Sequence, residues 1–314
     1  MIVREKMYRT WKIVAISSIV SLFSLIIFLE YQEGTFFKEN QSAKLLFLGD
    51  VMLDRDIRRF GMLDDYTSLW GNSREVFKDY DTVIFNLEGP ITDNASVSRG
   101  SDINTAENTT FTFSQEILSG LPPAIDFVMH IGNNHILDFS YEGLFSTENI
   151  LRTNNVKYFG DVAAPTYVPD GIALHNDLVS LVSFNEFLGD GVARTVRNIK
   201  AQKEHSLFVI VYTHWGAEYE RVQPAYIKKL AHEFIDAGAD LVVGTHPHVV
   251  SEIEVYKGKR IYYSLGNFIF DQYWDSSVRC GAVLSVTIAP HKEMSFRLIE
   301  TLFENGRVRI GVCD

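Results

Sequence analysis

Short apolar runs of strand type recur along the chain, at Lys44 to Leu48, Thr82 to Phe85, Phe127 to Ile131, Leu178 to Phe184, Leu207 to Tyr212, Leu241 to Val243, Arg260 to Tyr263 and Ala282 to Ile288. Between several of them lie patterns of helical period. Tyr141 to Asn154 and Ala225 to Ala237 are the clearest; the second follows Pro224 at a first-turn position and ends at Gly238. The early alternation of strand and helix predicts a largely parallel sheet, and the later run of strands without helices predicts added antiparallel pairing. The segment from Thr92 to Thr112, rich in Asn, Ser, Thr and Asp and without periodicity, reads as one long loop, and such loops in compact domains are often functional.

One apolar run stands apart. Ile13 to Leu29 is apolar but for Ser17, Ser18, Ser21 and Ser24, carries no charge or proline, and is just long enough to span a bilayer. Arg4, Lys6, Arg9 and Lys12 precede it, while Glu30 and Glu33 follow it. The positive-inside rule therefore puts residues 1–12 in the cytoplasm, makes 13–29 a single-pass anchor in the cell membrane, and leaves the main domain extracytoplasmic. A cleaved signal peptide is the competing reading, but no small-x-small site follows Leu29 closely. Residues 30–43 are polar and irregular, as in a short stalk, and residues 44–314 form the folded domain.

At 314 residues and 46% hydrophobic composition the chain can bury a large core, so disorder is not the expectation. The net charge is −11, and because four of the bases but only one acid, Glu5, precede the anchor, the outer domain is more acidic still. Nucleic acid is excluded as a nonspecific partner, since that binding needs a basic surface. An anionic ligand would need locally concentrated positive charge, such as a metal centre. Cys280 and Cys313 form no C-x-x-C pattern, so any metal is held by oxygen and imidazole, and whether the two thiols meet stays open.

Oxygen and imidazole donors do collect, each within a few residues of the C-terminal end of a predicted strand, where open α/β sheets build their sites. Asp50 follows Leu45 to Gly49, Glu88 follows Val83 to Leu87, and Asn133, Asn134 and His135 follow Phe127 to Gly132. In the second half His214 follows Phe208 to Thr213, and His246 with His248 follows Leu241 to Thr245. Two histidines two apart project to the same side if the chain stays extended. Such a donor mixture suits two divalent ions, Mn, Fe or Zn, with one carboxylate bridging them.

In order, Gly49-Asp50-Val51-Met52-Leu53, Asn86-Leu87-Glu88-Gly89-Pro90, Asn133-Asn134-His135, His214-Trp215-Gly216, Gly244-Thr245-His246-Pro247-His248 and Ser264-Leu265-Gly266-Asn267-Phe268-Ile269-Phe270-Asp271 resemble the signatures of the poly-γ-glutamate capsule-synthesis proteins (CapA/PgsA-like), a branch of the calcineurin-like metallophosphoesterases. The resemblance runs from about Lys44 to Gln272 and implies a four-layer α/β/β/α sandwich. It implies Asp50 and His248 on one metal, His214 and His246 with Asn134 on the second, Glu88 bridging, and His135 as acid/base residue. Met52 stands where the wider superfamily has a metal-binding histidine, and Glu88 where it has aspartate, which puts ordinary phosphatase activity in doubt. Asp54 is either a replacement carboxylate or a surface acid beside Arg55. Trp215 is either a substrate-stacking wall or a core contact, and Asn267 is a candidate to orient a ligand by hydrogen bonding. Two functions are open: capsule polymer biosynthesis or export, with an anionic polymer and other capsule-synthesis membrane proteins as partners, or metal-dependent phosphoester hydrolysis on an envelope substrate.

Overall fold

The computed structural model describes residues 42–64, 66–102, 105–164, 171–188, 191–289, 293–311 and 313. The predicted cytoplasmic segment, the anchor and nearly all of the stalk lie outside them. No helix among the described residues is long and apolar enough to cross a membrane. The strands are β1 (Ala43–Val51), β2 (Thr82–Leu87), β3 (Asp126–His130), β4 (Lys157–Phe159), β5 (Ile172–Leu174), β6 (Val179–Asn185), β7 (Phe208–His214), β8 (Leu241–Thr245), β9 (Ile253–Tyr256), β10 (Lys259–Tyr262), β11 (Asn267–Ile269), β12 (Cys280–Ala289), β13 (Glu293–Glu304) and β14 (Arg307–Ile310).

These strands form two mixed sheets. One runs β14-β13-β12-β1-β2-β3-β4 with β11 also paired to β1, and the other runs β5-β6-β7-β8-β10-β9. Parallel pairing joins β1 to β4 and β6 to β8 and β10, while β12, β13 and β14 add the antiparallel half. This is the division that the order of apolar runs predicts.

Side-chain alternation sorts the strands into layers. Leu45 and Phe47 of β1 pack with Ile210, Tyr212, Leu241 and Val243 of the second sheet, in a core that lies between the sheets. Leu46 and Leu48 face the other way, onto helix residues Ile57, Leu144 and Leu151. On the second sheet Val209, Val211 and Val242 face Ile227, Ala231 and Phe234 of the helix Ala225–Ala237. The order is helix, sheet, sheet, helix. Burial on both faces is why these strands read as unbroken apolar runs.

The row that points between the sheets leads to the donors. Ile84 of β2 belongs to the inter-sheet core, and Asn86 and Glu88 continue its row; Tyr212 of β7 is followed at the same parity by His214, and Val243 of β8 by Thr245. On β1 simple alternation would turn Asp50 toward the helices with Leu46 and Leu48. A register shift between Phe47 and Asp50 resets the row, as a bulge does. Gly49 makes this possible, because a Cβ there would lie 1.8 Å from the Gly266 carbonyl oxygen.

His130 ends β3 in the seam below the donors. Its Nε2 is 2.8 Å from Ser183 Oγ, its Nδ1 is buried without a partner, and burial pulls its pKa down to about 3. Below about pH 6.5 the unfolded chain takes up a proton that the native ring refuses. Stability is thus whole above that pH and falls as pH drops toward 3, by up to about 1.4 kcal/mol per unit. His130→Gln keeps a partner for Ser183 and cannot titrate. Denaturant melts of chelated protein between pH 7 and 5 should show the variant's stability slope shallower by about one proton, and parallel slopes would refute this.

The disulfide Cys280–Cys313 ties the C-terminus to β12 and answers the open question of whether the thiols meet. The described residues between Thr92 and Thr112 are irregular as expected, apart from a short 3-10 turn, Glu107–Thr109. Pro224 sits one residue earlier than predicted, at the N-cap.

Candidate metal centre

Asp50, Glu88 and His248 come from three strand ends and meet in a buried group whose ligand atoms lie within 4.8 Å of one another. Asp50 accepts from Asn86 Nδ2 at 2.8 Å and from the His246 backbone N–H at 3.1 Å. Burial alone would raise its pKa, but His248, Asn86 and the His246 amide outweigh that and hold it below the usual carboxylate range. Glu88 moves the other way, pushed well up by burial and then by the Asp50 charge beside it. Its Oε1 has no hydrogen-bond partner and lies 3.7 Å from His248 Nε2. Two buried acids that cannot share their charge comfortably, with an orphaned oxygen, are the electrostatics that a cation relieves.

The orientation of His248 is settled by Asn267. The Asn267 amide nitrogen donates to Gln272 Oε1 and the Val278 carbonyl, so its Oδ1 faces His248 Nδ1 at 2.9 Å and takes that proton. The lone pair of Nε2 is left toward Glu88, the kind of ring-fixing hydrogen bond that supports metal-ligating histidines. Thr245 Oγ1, which donates to the Thr213 carbonyl, lies 3.1 Å from His214 Nδ1, and Asn86 Nδ2 lies 3.3 Å from the same nitrogen. His214 Nε2 faces Asn134 Oδ1 at 2.7 Å, so the two side chains stand together at the seam.

His246 completes the cluster, with ring centroids 4.8 Å from His214 and 5.8 Å from His248, and with Nδ1 buried and unpartnered. Burial, then the neighbouring His248, takes its pKa down to about 3; burial and the other imidazoles also depress His214. Neutral rings keep their lone pairs. The His-Pro-His segment reaches this arrangement by a different route from the extended chain expected: φ is +95° at His246 and +59° at His248. Left-handed backbone at two non-glycine residues is strain held in place by the surrounding structure.

His135 stands apart from these ligands. Its Nδ1 is 2.9 Å from Asp138 Oδ2, and the Phe111 ring packs on it at 4.4 Å. The carboxylate accepts from Nδ1–H, which leaves Nε2 as the unprotonated ring nitrogen. Asn133 is the turn residue, bonding Asn86 Oδ1, the Leu87 carbonyl and the His135 N–H.

Several expectations change. Trp215 is no substrate wall: it is fully buried, donates to the Tyr263 carbonyl and packs on Phe184 and Phe234. One residue past His214, it falls on the helix-facing row of the strand. Asn267 is fully enclosed and orients His248, not a ligand in solvent. Asp54 is neither a surface acid nor in either acid-imidazole group; it is buried, paired with Arg58 at 3.0 Å, and accepts from Thr112 N–H. Met52 is likewise occupied, its sulfur accepting from Asp54 N–H.

Two residues escaped sequence reading. Arg55, at φ +50°, is tied to Asp271 and lies over the rings of Phe111 and Phe270, which pack on His135 and His248 respectively. Its place two residues after Leu53, in the first motif, was the available signal. Glu218 lies within 4.8 Å of His246 and His248 by its ligand atom, and only its closeness to His214-Trp215-Gly216 in sequence could have flagged it.

Fold and site together define a two-sheet α/β protein with an acid-imidazole centre at the strand ends, its donor set fit for divalent cations. Comparison with known proteins specifies the family. The chain belongs to the bacterial capsule synthesis protein PGA_cap family, whose model matches residues 44–168 and 165–272. It is 28% identical over 246 residues to the PGA biosynthesis protein CapA of Bacillus subtilis, covering 73% of this chain and 63% of that one. The capsule biosynthesis protein CapA of Bacillus anthracis is 29% identical over 267 residues, 76% of this chain and 62% of its own. A probable polyglutamine synthesis accessory protein of Mycobacterium tuberculosis is 26% identical over 236 residues, 66% and 60%. The chain spans about three fifths of the length of these curated relatives.

Proposed function

We propose that this chain is a membrane-anchored, extracytoplasmic protein of capsule polymer biosynthesis or export, and that it binds an anionic polymer of the poly-γ-glutamate type through two divalent cations. The carrying observation is the convergence of Asp50, Glu88 and His248 with an orphaned Glu88 oxygen and an orphaned His246 nitrogen. Asp50, Glu88 and His248 would hold one ion, and His214, His246 and Asn134 the other. When bound, divalent ions supply the positive charge that binds and polarises a carboxylate or phosphoryl oxygen. Around them Asn267 fixes the His248 imidazole, and Arg55 adds the protein's own positive charge at the wall. The acidic remainder of the surface repels polymer elsewhere. The likeness to capsule biosynthesis proteins supports the capsule role, and the disulfide suits an oxidising compartment outside the cytoplasm.

The His135–Asp138 pair favours a second reading, a metallophosphoesterase-like hydrolase in which His135 protonates the leaving oxygen. One preparation tests both. Full-length protein in detergent is titrated with labelled poly-γ-glutamate before and after chelation, and assayed on phosphomonoesters and phosphodiesters beside an Asp50→Ala, His248→Ala control. Polymer affinity should fall sharply on chelation and return with Mn²⁺; unchanged binding refutes the proposal. Metal-dependent turnover absent from the control would establish the hydrolase instead.

A further inference from the structure

We propose that Glu218 is a cation ligand on the solvent side of this centre, on the ion that His246 holds and beside His248. The inference rests on the metal reading above and extends it to a residue outside the ligand set that the family resemblance implies. One carboxylate oxygen of Glu218 and one ring nitrogen of each histidine lie within 4.8 Å of one another. His246 is 4% exposed, and its Nδ1 has no hydrogen-bond partner. A buried, unpartnered imidazole nitrogen next to an acid calls for a positive charge between them.

The loop that carries Glu218 is built to hold it there. Trp215 N–H donates to the Thr245 carbonyl at 3.2 Å, Gly216 N–H to Glu186 Oε2 at 2.7 Å, Ala217 N–H to Gln223 Oε1 at 3.2 Å, and Tyr219 N–H to the Pro247 carbonyl at 2.8 Å. Residues on both sides of Glu218 are therefore fastened, and the Tyr219 bond reaches the peptide between the two histidines. Gly216 has φ +89°, and a Cβ there would lie 2.2 Å from Gln223 Oε1, so the turn requires glycine.

Chemistry gives the loop a reason. Met52, two residues after Asp50, offers the centre only a thioether, whose sulfur is engaged by Asp54 N–H, while Asp54 itself is engaged by Arg58. A thioether is a poor partner for a hard divalent ion. Glu218 returns an oxygen donor to the centre from the opposite sheet. Because Glu218 is exposed whereas Asp50 and Glu88 are buried, the two ions become unequal: one enclosed, one at the surface and exchangeable.

The test is metal binding by full-length protein in detergent, stripped by chelation and reloaded with Mn²⁺. Wild type should take up two ions of different affinity. Glu218→Gln should weaken the looser ion by at least about tenfold and leave the tighter one in place, Glu218→Asp should fall between, and the melting temperature of the metal-free variant should match wild type. Equal stoichiometry and affinities in wild type and Glu218→Gln overturn the assignment of Glu218 while the enclosed ion stands. A wild-type chain that takes up no Mn²⁺ overturns the metal reading and Glu218 with it.

Discussion

Asp50→Ala is expected to purify without divalent metal, to bind added Mn²⁺ at least about 100-fold more weakly, and to lose polymer binding. The Asp50 side chain touches several groups of the centre. Its carboxylate accepts from Asn86 and from the His246 backbone and lies 3.5 Å from His248 and 4.0 Å from His214. Removing it strands two buried donors, at about 1–3 kcal/mol each. It also removes the stabilisation that bound metal lends, about 2.7 kcal/mol when free metal is 100 times its dissociation constant. Melting with and without Mn²⁺ separates the two: the variant should be destabilised in both conditions, and its midpoint should not respond to metal. A variant that retains wild-type metal content would remove Asp50 from the centre.

Glu88→Gln is expected to act with opposite signs in the two states. In the metal-free protein the carboxyl pKa is raised by burial and by Asp50, from an ordinary value of 4.5. Its favourable contribution is whole below that pH and is lost as pH rises, by up to about 1.4 kcal/mol per unit until the folded-state pKa is reached. The neutral isostere escapes this loss, so metal-free Glu88→Gln should be more stable than wild type at neutral pH, with the gain vanishing near pH 4. In the presence of Mn²⁺ the ranking should reverse, because an amide is a weaker cation ligand than a carboxylate. Calorimetry of both proteins with and without metal at pH 7 checks this, and a variant less stable in both states would contradict it. A site that destabilises its own empty fold is one shaped for a ligand.

Much of this architecture is legible in the primary structure. The apolar runs become β1, β2, β3, β6, β7, β8, β10 and β12, and the helix Ala225–Ala237 has the predicted bounds. The helix Gly191–Lys203 and strand β13 are not legible. The helix opens on glycine, a weak helix former, and β13 is half exposed, its alternation of Met294, Phe296 and Leu298 with Ser295 and Arg297 breaking at Ile299. The inter-sheet histidine His130 gave no signal either, because nothing local distinguishes a buried imidazole from a strand-end ligand.

The sequence alone determined which residues end the strands, since apolar length, glycine and the polar residue that follows are local features of the chain. It thereby placed Asp50, Glu88, Asn134, His214, His246 and His248 at one class of position. Which of them meet, and which way each points, only the packing of two sheets decided. A bulge at Phe47 to Asp50 turned Asp50 inward, strand parity sent His214 into the seam and Trp215 away from it, and a fastened loop carried Glu218 to histidines of another strand. Side-chain direction depends on register and on what covers each face, and those are properties of the folded molecule.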